Sequence, residues 1–108
     1  MIQQIDVEQL AERLKNGESV YLLDVRQPWE NEYCRLLHSV LVPLGELPSR
    51  VDEVVPPEGA LVVVYCHHGI RSQTGAAILQ QAGHRNVASL AGGIEAWSAR
   101  IDPKVPRY

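Results

Sequence analysis

Acidic residues are missing from one long stretch of the chain. Between Glu58 and Glu95 there is no Asp or Glu, although the 108 residues carry 13 acids against 10 Lys plus Arg, a formal net charge of −3. That stretch holds Cys66, Arg71, Arg85 and three of the four His. An acid-free segment around a thiol in an acidic protein points to an anionic substrate steered to that site. The simpler reading is that a buried sheet and its packing helix exclude acids.

Cysteine is scarce as well. Cys34 and Cys66 are the only two, with no CxxC and no regular Cys/His ligand spacing, which argues against structural zinc. The adjacent pair His67-His68 is poor metal spacing, because neighbouring side chains point apart on a helix or a strand. No metal and no resident cofactor are expected. A disulfide is not expected either in a reducing compartment.

No Lys/Arg-rich run and no aromatic-basic interleaving is present, which argues against nucleic acid as the main partner. The apolar run 60–66 is too short to span a bilayer, so no membrane partner is expected. The first residues lack the basic and apolar regions of a secretory signal, and the cytoplasm is the expected location. There are no repeats, linkers or low-complexity segments.

With 45% hydrophobic and 21% charged residues, the chain reads as one globular domain over 1–108, large enough for a core of its own. Short apolar runs alternate with amphipathic stretches, the pattern of an α/β fold. A central, mainly parallel sheet of about five short strands with helices on both faces is expected. Asp6 caps a helix in which Val7, Leu10, Ala11 and Leu14 recur at helical spacing, and Asn16-Gly17 stops it. Strands follow at Val20–Leu23, ending at Asp24, and at Val40–Val42, with a short helix or turn over Pro28–Tyr33 between them. A helix over Glu46–Val54 ends before Pro56-Pro57. Leu61–Tyr65 is the central strand, apolar throughout because both its faces are covered. Arg71–Ala82 is a helix capped by Gly83, Asn86–Leu90 a strand, and Ile94 to about Arg100 a last helix. Residues 102–108 form an extended tail.

Cys66 stands directly after the central strand and directly before His67-His68-Gly69-Ile70-Arg71-Ser72, which opens a helix. A buried strand fixes the sulfur, a glycine-containing loop turns N–H groups inward, and the helix mouth favours negative charge, so thiolate is the expected form. The expectation is a solvent-reachable sulfur cupped by the N–H groups of residues 67–72. Against this stands an inert core thiol. Asp24 and Cys66 each close a strand and belong on one rim of the sheet, with Arg26 beside them.

These residues resemble the rhodanese family of sulfurtransferases, almost end to end. Leu22-Leu23-Asp24-Val25-Arg26 with Pro28 and Glu30 is similar to the family's DVR-x-x-x-E element. Cys66 to Ser72 resembles its active loop, CxxGxRS, and Leu90-Ala91-Gly92-Gly93-Ile94-Glu95-Ala96-Trp97 its GG-x-x-AW signature. One departure is Cys34-Arg35-Leu36-Leu37-His38-Ser39, where many members read GHIPGA.

The resemblance implies a single rhodanese-like domain. It implies that Cys66 takes a sulfane sulfur from thiosulfate or a similar small anionic donor, carries it as a persulfide, and passes it to cyanide or a thiol. Glutathione or a thioredoxin-like protein are the cellular acceptors it implies. His67, His68, Gly69, Ile70, Arg71 and Ser72 would form the substrate loop. Arg71 would supply a cation or bind the donor's oxygens, Gly69 would allow positive φ, and either His would attract an anion or merely fill the loop. Asp24 and Arg26 read as a supporting ion pair before they read as catalytic. Cys34 reads as a spare thiol, Trp29 and Trp97 as packing residues.

Two rivals remain. A Cys-dependent phosphatase or arsenate reductase also joins Cys to Arg by a loop, but with five intervening residues where this chain has four, and it needs a nearby general acid. A non-catalytic binding module of the same family is the other, although such modules usually lack the cysteine.

Overall fold

The computed structural model describes residues 2–108. Its centre is the run Leu61–Tyr65, every residue of which is buried. A strand of β-branched residues with no polar face must be covered on both sides, and its neighbours supply the cover.

Among the described residues the strands are β1 (Gln3–Ile5), β2 (Val20–Asp24), β3 (Val40–Leu41), β4 (Leu61–Tyr65) and β5 (Val87–Leu90). They form one five-stranded sheet in the order β1-β5-β4-β2-β3, with every pairing parallel. The helices are α1 (Val7–Lys15), α2 (Pro28–Tyr33), α3 (Leu47–Arg50), α4 (Arg71–Gln81) and α5 (Gly93–Arg100). No helix is long and apolar enough to cross a membrane among these residues.

The expected parallel α/β sheet is present. Its two faces carry separate apolar clusters. One joins Val7 and Leu10 of α1 and Ile94 of α5 to Leu22, Val63 and Tyr65. The other joins Leu47 of α3 and Ala76 and Leu79 of α4 to Leu23, Val62 and Val64. Alternation along β4 divides Val63 from Val62 and Val64, which is why one strand serves both clusters.

Local signals set most boundaries. Asp6 and Gln9 cap α1 reciprocally, each backbone N–H donating to the other's side chain at 2.8 Å. Three differences from expectation have physical causes. Strand β1 is an edge strand in which only Ile5 is buried, so it carries no alternating signature. The segment expected as one helix over Glu46–Val54 is instead the single turn α3 between two 3-10 turns, Leu44–Glu46 and Val51–Glu53. The break falls at Arg50, whose φ of −117° and ψ of 14° leave the helical region; Pro48 stands in the first turn, where a missing N–H costs no helical bond. Residues 102–108 are not a free extension: the N–H of Val105 donates to the carbonyl of Asp102 at 3.1 Å, and Val105 and Tyr108 pack against the first cluster.

Candidate functional site

Strands β2 and β4 are parallel neighbours with Asp24 opposite Tyr65, so the residues that follow them leave the sheet at the same rim. The chain after β4 turns through residues 66–70 and enters α4. Gly69 makes that turn possible. Its φ is +99°, and a Cβ there would lie 2.9 Å from the N of Gly92 and 3.1 Å from the O of Leu90.

The turn folds around the sulfur. Cys66 Sγ accepts the backbone N–H of Gly69 at 3.1 Å and of Ser72, in the first turn of α4, at 3.3 Å. It also lies 3.5 Å from Ser72 Oγ, which shares a hydrogen bond of 2.7 Å with Ser89 Oγ. Of the six N–H groups from 67 to 72, these two donate to the sulfur. Two main-chain donors and a helix mouth are an environment for a negatively charged sulfur.

The sulfur is not open to solvent. Cys66 is 1% exposed, which corrects the expectation of a reachable side chain. Part of the cause is a second turn pressed onto the first. Gly92 and Gly93 both have positive φ, and a Cβ on Gly93 would lie 2.5 Å from the carbonyl oxygens of both Cys66 and His67. That close approach lets the first N–H groups of α5 satisfy the loop: Ile94 donates to the O of Cys66 at 2.9 Å and Glu95 to the O of His67 at 3.0 Å.

Arg71 is not a free cation. Its two terminal nitrogens donate to the two carboxylate oxygens of Glu30 at 2.9 and 3.0 Å, a bidentate pair in which the Glu30 side chain is 5% exposed. Burial alone would push the Glu30 carboxyl up, but Arg71, the N–H of Gln27 and the Tyr108 hydroxyl hold it down at about 2. Arg71 is raised, first by that same carboxylate. The acid-free stretch of sequence is therefore not acid-free in space. Arg85 does not reach the site: with His84 and Asn86 it lines a hollow before β5, at the opposite end of the sheet.

His67 and His68 stack on each other, centroids 3.9 Å apart. The other face of His67 lies against Tyr108, centroids 3.8 Å apart and planes within 5°. Burial first, then His68, lowers the His67 pKa, which favours the neutral ring. Ile70 points outward, 77% exposed.

Asp24 and Arg26 are fully buried and form an ion pair. Arg26 Nε donates to Asp24 Oδ1 at 2.9 Å and Nη2 to Oδ2 at 2.7 Å. The same guanidinium reaches the carbonyl of Cys34 at 2.6 Å and the hydroxyl of Tyr108 at 2.9 Å. Arg26 Nη1 also lies 3.9 Å from Cys34 Sγ, and through these contacts the two residues anchor the rim. The unusual segment 34–39 joins this anchor: Leu36 N–H donates to Tyr65 Oη at 3.2 Å, and Tyr65 Oη donates to Ser39 Oγ at 2.8 Å. Its turn places His38 at φ 65°, where the family pattern has glycine. Cys34 and Cys66 are both free thiols.

Sequence reasoning missed Glu30 as the partner of Arg71, although Glu30 stood in the DVR-x-x-x-E element. It missed Tyr108 entirely, because a tail residue has no periodicity to betray a contact. Trp97 packs in the first cluster as expected, whereas Trp29 is 61% exposed and meets the Tyr108 ring edge at 5.8 Å between centroids.

Comparison with known proteins agrees with this arrangement. A sulfurtransferase of Allochromatium vinosum is 38% identical over 91% of this chain and 90% of its own length. The adenylyltransferase and sulfurtransferase uba4 of Ogataea parapolymorpha is 32% identical, but this chain spans only 25% of it. The crystal structure of a rhodanese-related protein from Thermoplasma volcanium superimposes with a TM-score of 0.81 at 28% identity, covering 98% of this chain and 99% of that one. The family model described as "Rhodanese-like domain" matches residues 6–100, and the chain belongs to that family of sulfurtransferases.

Proposed function

We propose that this protein is a thiosulfate sulfurtransferase that carries sulfur on Cys66. The observation that supports this most is the Cys66 sulfur accepting two main-chain N–H groups at the mouth of α4, within a chain of this family.

The Cys66 thiolate attacks the outer sulfur of thiosulfate. A new S–S bond forms, the old one breaks, and sulfite leaves with its electron pair. The terminal sulfur of the persulfide takes over the negative charge, and the N–H groups of Gly69 and Ser72 stabilise it as an oxyanion hole stabilises oxygen. A nucleophilic acceptor then attacks that outer sulfur and the Cys66 thiolate departs. Cyanide becomes thiocyanate, and a thiolate acceptor, of glutathione or of a thioredoxin-like protein, becomes a persulfide. Arg71 stays beside the loop as half of an ion pair, so its remaining surface offers orientation to the donor's oxygens rather than a full charge.

The phosphatase reading fits less well. Glu30 is the acid nearest Arg71 by hydrogen bonding, and with its carboxyl held at about 2 it carries no proton to give a leaving group at neutral pH. The test is thiocyanate formation from thiosulfate and cyanide by wild type, Cys66→Ser and Cys34→Ser. Cys34→Ser keeps the activity and Cys66→Ser loses it, by about a thousandfold or more. Turnover that survives in Cys66→Ser, or phosphate release from an aryl phosphate without any thiocyanate, overturns the reading.

A further inference from the structure

Tyr108, in the tail, is tied to five residues around the site. The Tyr108 ring lies flat on His67, the residue next to Cys66. Its hydroxyl donates to Glu30 Oε1 at 2.8 Å, and Glu30 in turn grips Arg71 at the start of α4. The same hydroxyl accepts from Arg26 Nη1 at 2.9 Å. Trp29 and Tyr33 close on the ring edge-on, each 5.8 Å away between centroids. Tyr108 thus reaches from His67, the first residue after the cysteine, to the carboxylate that holds Arg71, and Cys66 within that loop is 1% exposed.

Apart from the contacts of Tyr108 itself, little holds the tail. Residues 102–108 belong to no helix or strand, and Lys104, Pro106 and Arg107 are exposed. Beyond Tyr108 itself, the hold consists of Val105 against the core, the Asp102 N–H donating to the carbonyl of Trp97 at 2.9 Å, a turn at Asp102 and an exposed pair between Arg107 and Glu95. Segments with few buried contacts open locally without unfolding the domain. The closed arrangement also carries an unsatisfied group, since His67 Nε2 is buried with no hydrogen-bond partner among the described residues.

We propose that Tyr108 is a removable cap on the sulfur loop and selects acceptors by size. A diatomic anion reaches the sulfur past the cap, whereas a peptide or protein thiol reaches it only when the tail swings out. The choice of acceptor rests on the sulfurtransferase reading; the cap itself does not.

Alkylation of Cys66 tests it without any sulfur transfer. In a Cys34→Ser background, iodoacetamide and the bulkier N-phenylmaleimide are reacted with protein carrying Tyr108 or Tyr108→Ala. The expected result is an acceleration of about tenfold for the maleimide and less for iodoacetamide, as when a minor open state becomes the main one. Maleimide rates within about twofold of each other overturn the cap. So does an equal acceleration for iodoacetamide, which marks general loosening and not relief of a size limit. If Tyr108→Ala does not melt cooperatively, Arg107→Ala, which frees the tail without touching the loop, takes its place. An acceleration of about threefold is then expected, and no acceleration overturns the proposal.

Discussion

Glu30 decides what Arg71 can do. A lone guanidinium at the edge of the sulfur loop would be a strong anion site, but a carboxylate that is 5% exposed already takes both of its terminal nitrogens. Charge stabilisation at the sulfur then falls to peptide N–H groups, which bring no counter-ion and do not titrate. The same pair fixes a pH dependence. Glu30 sits at about 2 in the folded protein against an ordinary 4.5, because its hydrogen bonds from Arg71, Gln27 and Tyr108 outweigh the opposing effect of burial. The folded state therefore favours the ionised form, and the stability it contributes is whole above pH 4.5 and lost as pH falls towards 2. Allowing for solvent on the Arg71 side, the contribution is on the order of 2 kcal/mol. Urea unfolding at a series of pH values should show wild type losing that much more than Glu30→Gln over this window. Parallel losses in the two proteins would contradict the assignment.

Among the elements, the joint between α5 and the loop after β4 carries the most consequence per residue. Gly93 stands at φ +59°, with the carbonyl oxygens of Cys66 and His67 where a Cβ would be. Gly93→Ala must strain the backbone and push α5 off the loop, so it should lower the unfolding free energy by about 2–4 kcal/mol. A change below about 0.5 kcal/mol in urea titrations, the size of an ordinary surface substitution, would mean that the joint gives freely. In the sequence, Gly92-Gly93 was legible as the start of a helix, but its seat on two carbonyls of a distant loop was not. Periodicity tells which face of an element is buried, not what faces it. The same limit explains β1, whose polar edge residues carry no strand signal; the helix expected over Glu46–Val54 instead breaks at Arg50, where the backbone leaves the helical region.

At the scale of the whole molecule, the chain places its chemistry at one rim because all five strands run the same way. Asp24 and Cys66 end adjacent strands, and this much followed from reading the apolar runs in order. The order of burial did not follow. The cysteine between an apolar strand and a glycine loop could be read from the sequence as a candidate nucleophile, whereas its 1% exposure, set by the loop around it and by α5 seated on that loop, could not. Residues 102–108 look featureless until the folded domain gives them something to pack on. The central claim, that Cys66 is where sulfur is held, is tested most directly by intact mass after incubation with thiosulfate. Wild type and Cys34→Ser should each gain one sulfur atom that cyanide removes, and Cys66→Ser should gain none. An unchanged wild-type mass, or a gain that persists in Cys66→Ser, would contradict the account.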